Sequence, residues 1–215
     1  MSNFLAVAHA TEALRLAIAG SLTPDMPLAV EVRAARPPAE PPPDPTITVH
    51  LYQVTPNAAL RNRDLPTRSP DGATLLTRPS TALDLHYLIS CYGDEGQLVA
   101  QRLLGCVVRQ LHETPLLTRE VLEAAVAARP FLEGSDLADS PQRVRLTPTQ
   151  MDVDEMSKLW STLFQTPHAL SVCYQASAVL VDGGGEPVPA KPVRTRTVRA
   201  VPRTGATTAD RAATD

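Results

Sequence analysis

Proline constrains this chain more than any other residue type. Its ring fixes φ and its nitrogen has no proton to donate, so helix interiors and central strands exclude it. The sequence holds 21 prolines in 215 residues, about twice ordinary usage. Most gather in Pro37 to Pro45 (PPAEPPPDP), between Pro56 and Pro79, and after Pro187. Those regions are therefore loops and tails, and the regular elements must come from what lies between. A chain of this length has room for one domain with a real core.

Between the proline clusters the apolar periods are clear. Phe4, Val7, Ala8, Thr11, Leu14 and Ile18 recur at helical spacing, with His9, Glu12 and Arg15 off that stripe, Ser2 or Asn3 as N-cap and Gly20 at the end. Leu28 to Arg33 reads as a short strand. A stiff proline connector joins it to Thr46 to Val54, which places Ile47, Val49 and Leu51 on one face. Thr55 to Pro79 keeps no period and forms one long loop. Ser80 to Tyr92 alternates Leu83, Leu85, Tyr87, Ile89 and Cys91 on one side.

Glu95 to Glu113 then reads as a helix, apolar round most of its circumference and so largely buried, where Gly105 implies another element close by. A second helix covers Thr118 to Arg129, and Val144 to Leu146 is a short strand. Asp152 with Glu155 forms a capping box opening a helix with Met156, Leu159, Trp160 and Leu163. Ala169 to Val181 is a long strand with Leu170, Val172, Tyr174, Ala176, Ala178 and Leu180 on one face, stopped by Gly183 to Gly185. Interleaved helices and strands give an α/β (α+β) class, a single domain with a mixed β-sheet flanked by helices. The domain spans residues 1–186, and residues 187–215 form a basic Arg/Thr/Pro arm and tail, disordered from Gly205.

The net charge of −3 conceals an asymmetry. From Lys191 onward, Lys191, Arg194, Arg196, Arg199, Arg203 and Arg211 face only Asp210 and Asp215, so the body is acidic and lacks the broad cationic face that holds nucleic acid. Cys91, Cys106 and Cys173 are odd in number and lie in apolar runs, as packing residues of a reducing compartment do. The N-terminus lacks the basic start of a signal peptide, and no stretch has the ~18 apolar residues of a membrane span. Assembly in the cytoplasm follows, with membrane contact open only to the basic tail.

The motifs of catalysis are missing or broken. The sequence has no phosphate-binding GxxxxGK[ST] string, and the Gly183 to Gly185 run leads into Glu186 and Pro187, not into a helix. His112-Glu113 would need a histidine at 116, where Leu116 stands behind Pro115. His86 and Cys91 are five apart on one strand and point to opposite faces. His9, His50 and His168 stand alone. The long loop, by contrast, mixes Leu60, Arg61, Arg63 and Leu65 as interfaces do. The tail string Val193 to Val201 alternates arginine with threonine or valine and could add a strand to a neighbour's sheet.

Two strings identify a family resemblance. Leu83 to Leu122 (LDLHYLISCYGDEGQLVAQRLLGCVVRQLHETPLLTREVL), then Leu159-Trp160 and Pro167 to Val181 (PHALSVCYQASAVLV), resemble the tail-terminator or cap family of extracellular contractile injection systems, which are phage-tail-like particles. The resemblance implies a phage tail-terminator-like fold in a homo-oligomer, a hexameric ring, set on the last layer of inner tube and sheath. It implies no enzyme activity and no cofactor, and partners that are the sheath and inner-tube proteins. The residues expected at that interface are Leu60, Arg61, Arg63, Arg194, Arg196, Val198 and Arg199. Two other readings are a baseplate or sheath-initiation adaptor of the same particle, and a hydrolase or thiol enzyme with Cys91 or Cys173 as nucleophile.

Overall fold

The computed structural model describes residues 3–22 and 26–188. A five-stranded sheet carries three helices on one face and one on the other. In chain order the elements are α1 (Ala6–Ser21), β1 (Glu31–Arg33), β2 (Thr46–Pro56), β3 (Ser80–Tyr92), α2 (Val99–Glu113), α3 (Arg119–Ala128), β4 (Arg145–Thr149), α4 (Val153–Thr162) and β5 (Ser171–Asp182). The sheet order is β1-β2-β3-β5-β4. β1 runs parallel to β2, and the other pairs are antiparallel. A parallel pair needs a connection that travels back along the strand, and the extended proline segment is that return.

The central strand β3 sets both layers. Leu85, Tyr87, Ile89 and Cys91 point into the main core with Ile47 and Val49 of β2 and with Ile18, Leu103, Val107, Leu122 and Ala125 from α1, α2 and α3. On the opposite face Leu88 packs with Cys173, Trp160 and Leu163 beneath α4. Farther along that face Pro41 and Pro42 of the connector line a crevice with Tyr92 and Leu170.

Four expectations change. First, α1 buries His9 and Glu12 and leaves Phe4 exposed, so its inward stripe is rotated from the apolar one. Long-range partners make this affordable: His9 Nε2 hydrogen-bonds the Leu122 carbonyl at 2.8 Å and Nδ1 pairs with the Ser135 hydroxyl at 2.8 Å. Glu12 accepts from Arg15 at 2.7 Å and from Arg129 at 3.1 Å. The helix entry is also held differently, since Asn3 Oδ1 accepts from Leu5 N, one residue outside the first turn.

Second, α2 begins at Val99, because the Asp94 carboxylate takes the Gly96 N–H at 2.7 Å and holds residues 95–98 in a turn. Gly93 is required at this corner, where a Cβ would lie 2.5 Å from Val99. Third, α2 is half-buried, with only Val99, Leu103, Val107 and Leu111 enclosed. Gly105 faces open space, so no described element approaches it. Fourth, β5 switches faces partway. A bulge between Ala176 and Val179, with Ala178 at φ +63°, puts Tyr174, Ala176 and then Val179 in the main core. The Asp84 carboxylate of β3 accepts the Ala178 N–H at 3.1 Å and Asn57 Nδ2 at 2.9 Å, which ties the bulge to the start of the long loop.

The remaining boundaries match to within a few residues, and two caps match in atomic detail. Thr118 Oγ1 accepts from Val121 N, and Asp152 and Glu155 form the reciprocal capping box of α4.

Candidate partner-docking surfaces

The long loop is more ordered than its lack of period suggests. Asn57 Oδ1 accepts from Leu60 N at 3.1 Å and closes a turn of 3-10 helix over Ala58–Leu60. Asp64 takes the Ser80 N–H at 3.0 Å, and Arg68 and Leu75 form a short bridge closed by a turn at Ser69 to Gly72. This scaffold half-buries Leu60 and leaves the Arg61 and Arg63 side chains exposed. Val188 N donates to the Leu75 carbonyl at 3.0 Å and Gly183 N to the Pro79 carbonyl. The chain therefore leaves the described fold from the same end of the sheet that carries the loop. Arg194, Arg196, Val198 and Arg199 lie outside the described residues.

A second feature escaped sequence reasoning. The chain has three phenylalanines, and all three are on the surface: Phe4 is 80% exposed, Phe131 61% and Phe164 77%. Burying a phenylalanine is worth about 2 kcal/mol, so a chain this poor in aromatics forgoes much by keeping them outside. They occupy two grooves. Phe4 and Phe131 line one of about 610 Å³ with Val7, Thr11, Arg36 and Arg129. Phe164 lines another of about 790 Å³ along α4, with Val153, Met156, Trp160 and His168. Val153, Met156 and Trp160 follow one stripe of α4, and Phe164 stands two residues past its end. Trp160 stands at its base, 5.1 Å from the His168 ring, and its indole N–H has no hydrogen-bond partner among the described residues.

Electrostatics separate the grooves. The α4 groove opens beside the acidic first turn Asp152, Asp154 and Glu155. The Phe4–Phe131 groove has Arg36, exposed, and Arg129, shared with Glu12. There burial together with the Arg36 guanidinium holds His50 below its ordinary value.

The reactive groups are poorly placed for chemistry. Burial pushes the Cys91 thiol up to about 12 and the Cys173 thiol up to about 11, so neither presents a thiolate near neutral pH. Burial also depresses His9, whose two ring nitrogens are both engaged. Among the described residues no three His, Cys, Asp or Glu stand together as a metal site. No described helix is long and apolar enough to cross a membrane.

No curated protein sequence matches the chain. Among solved structures it superposes on the sheath/tube terminator of an extracellular contractile injection system, PVC, in its extended state, with TM-score 0.57 and 15% identity. That superposition covers 93% of this chain and 64% of the terminator, so the chain spans under two thirds of that protein's length. The tube-terminating cap of the anti-feeding prophage aligns over 80% of this chain and 54% of its own, at 16% identity and TM-score 0.45, too distant to argue from. The sheet with its bulged β5, helices α2 to α4, all but the first three residues of α1 and the long loop fall within residues 9–195. Those residues match the sequence model of the Pvc16 N-terminal domain, and the chain belongs to that family.

Proposed function

We propose that this chain is a structural cap, a tail terminator that binds the distal end of an inner tube and its sheath in a contractile injection particle and ends their growth. The observation that carries this reading is the family match over residues 9–195, supported by the fold shared with a sheath/tube terminator. The physical demand on such a protein is plain. Stacked rings join head to tail through an interface that never closes, so the last ring always exposes a competent docking surface. A cap must match that surface on one side and offer no copy of it on the other. A sheet with ordered loops suits the task, and in this reading the role is non-enzymatic and needs no cofactor.

In this reading the chain forms a hexameric ring matched in symmetry to the tube, and assembles in the cytoplasm as part of the particle. Residues 1–186 are the ring-forming domain and residues 187–215 the docking arm. Leu60, Arg61 and Arg63 contact the tube or sheath together with Arg194, Arg196, Val198 and Arg199, arginine being suited to bidentate pairing with carboxylates. Deleting the gene should give particles whose tubes vary widely in length in electron micrographs, restored to uniform length by the intact gene. Uniform particles in the deletion strain would overturn the proposal.

A further inference from the structure

The two phenylalanine grooves lie on opposite sides of the molecule. α4 covers the sheet face of Leu88 and Cys173, whereas α1, which supplies Phe4, Val7 and Thr11 to the other groove, covers the face of Leu85 and Tyr87. Neither groove can be covered by folding the described chain further, because each element beside it is already seated in its own core cluster. Apolar surface of this kind, rimmed by charge, marks an association site.

We infer that these surfaces are the two halves of one contact between copies of this chain: the projecting Val153 and Phe164 side chains at the rim of the α4 groove in one copy seat in the Phe4–Phe131 groove of the next. The charges fit this pairing. The acidic turn of α4, Asp152, Asp154 and Glu155, meets Arg36 and Arg129, and Arg36 has no carboxylate partner among the described residues. A groove meeting its own copy across a two-fold axis would oppose like charges and leave the second groove bare. Joining unlike faces instead is a head-to-tail contact, which repeats from copy to copy and buries both surfaces in each when the ring closes. The inference deepens the ring in the cap reading and rests on it. Its test reads mass in solution, not particle length, so either can fail while the other stands.

The test uses the full chain, with Phe164→Asp to spoil the α4 face and Phe131→Asp to spoil the other. Both positions are largely exposed, so the fold should survive, which far-ultraviolet circular dichroism and an unchanged melting midpoint verify. Val153→Asp and Phe4→Asp serve as second variants of each face. By analytical ultracentrifugation the wild type should sediment as a ring and each variant as a single chain. Mixed in equal amounts, a Phe164→Asp and a Phe131→Asp copy retain one good face each. They should form a two-chain species and nothing larger, a result that only a contact between unlike faces produces. The inference is overturned if the variants keep the wild-type mass, if the mixture stays at the mass of one chain, or if the wild type itself is a single chain. A chain ending at Val188 that loses association with both faces intact would assign the α4 groove to the basic tail, and would overturn it as well.

Discussion

His9 and Glu12 show how one polar side chain can decide the orientation of a helix. Both are enclosed against the core, and each is tolerated because its partners arrive from more than 100 residues away: Leu122 and Ser135 for the imidazole, Arg129 for the carboxylate. A buried polar group without those partners would cost several kcal/mol. Their titrations fall in different windows. Burial holds the folded His9 pKa below its ordinary 6.5, so the unfolded chain takes up the proton first. Stability is then full above about pH 6.5 and falls as the pH drops toward the folded value, with a slope of at most about 1.4 kcal/mol per pH unit for one proton. For Glu12 burial acts upward, but Arg15 and Arg129 together outweigh it and lower the pKa below 4.5, so its contribution is lost only in stronger acid. Melting midpoints should therefore already fall between pH 7 and pH 5.5, and His9→Gln should flatten that slope whatever it does to the midpoint at pH 7. An unchanged slope in the variant would show that His9 is not the responsible group.

At the scale of elements, Gly105 gives a direct test of what encloses α2. A glycine inside a helix normally costs about 1 kcal/mol relative to alanine unless something needs the space. Here a Cβ would meet nothing within 4 Å. Gly105→Ala should stabilise the chain by about 1 kcal/mol and raise the melting midpoint by about 3 °C; destabilisation would mean that a partner packs on this face. The elements also show what a sequence pattern can carry. β3 was legible because Leu83, Leu85, Tyr87, Ile89 and Cys91 recur at every second position and the face they share is sealed by three helices, so local period and tertiary burial agree. The caps at Thr118 and Asp152 were legible because each bond spans only three residues. The inward face of α1 was not, since its partners are distant, nor was the turn of faces in β5, since the bulge at Ala178 is held by Asp84 on another strand. Apolar period likewise gives no hint that Phe4, Phe131 and Phe164 stay outside, because the same residues at the same spacing would serve equally well in a core.

For the whole molecule, the placement of surfaces separates two tasks that would otherwise be confounded. The long loop and the exit of the chain at Val188 share one end of the sheet, while the phenylalanine grooves lie on its faces. If lateral association uses the faces and docking uses the end, the two must be separable by mutation. Arg61 and Arg63 are exposed, so reversing both charges should leave the fold and the solution mass untouched. Arg61→Glu with Arg63→Glu should nevertheless weaken binding to the ends of uncapped tube and sheath by at least about tenfold, equivalent to about 1.4 kcal/mol. The remaining binding should fall less steeply with added salt than that of the wild type, because two screened charge contacts are gone. Co-sedimentation with particles from a strain lacking the gene, over a series of salt concentrations, measures both quantities. Equal binding by the reversed-charge chain would move the docking surface away from the loop, whereas loss of solution mass would place the loop between copies of the chain.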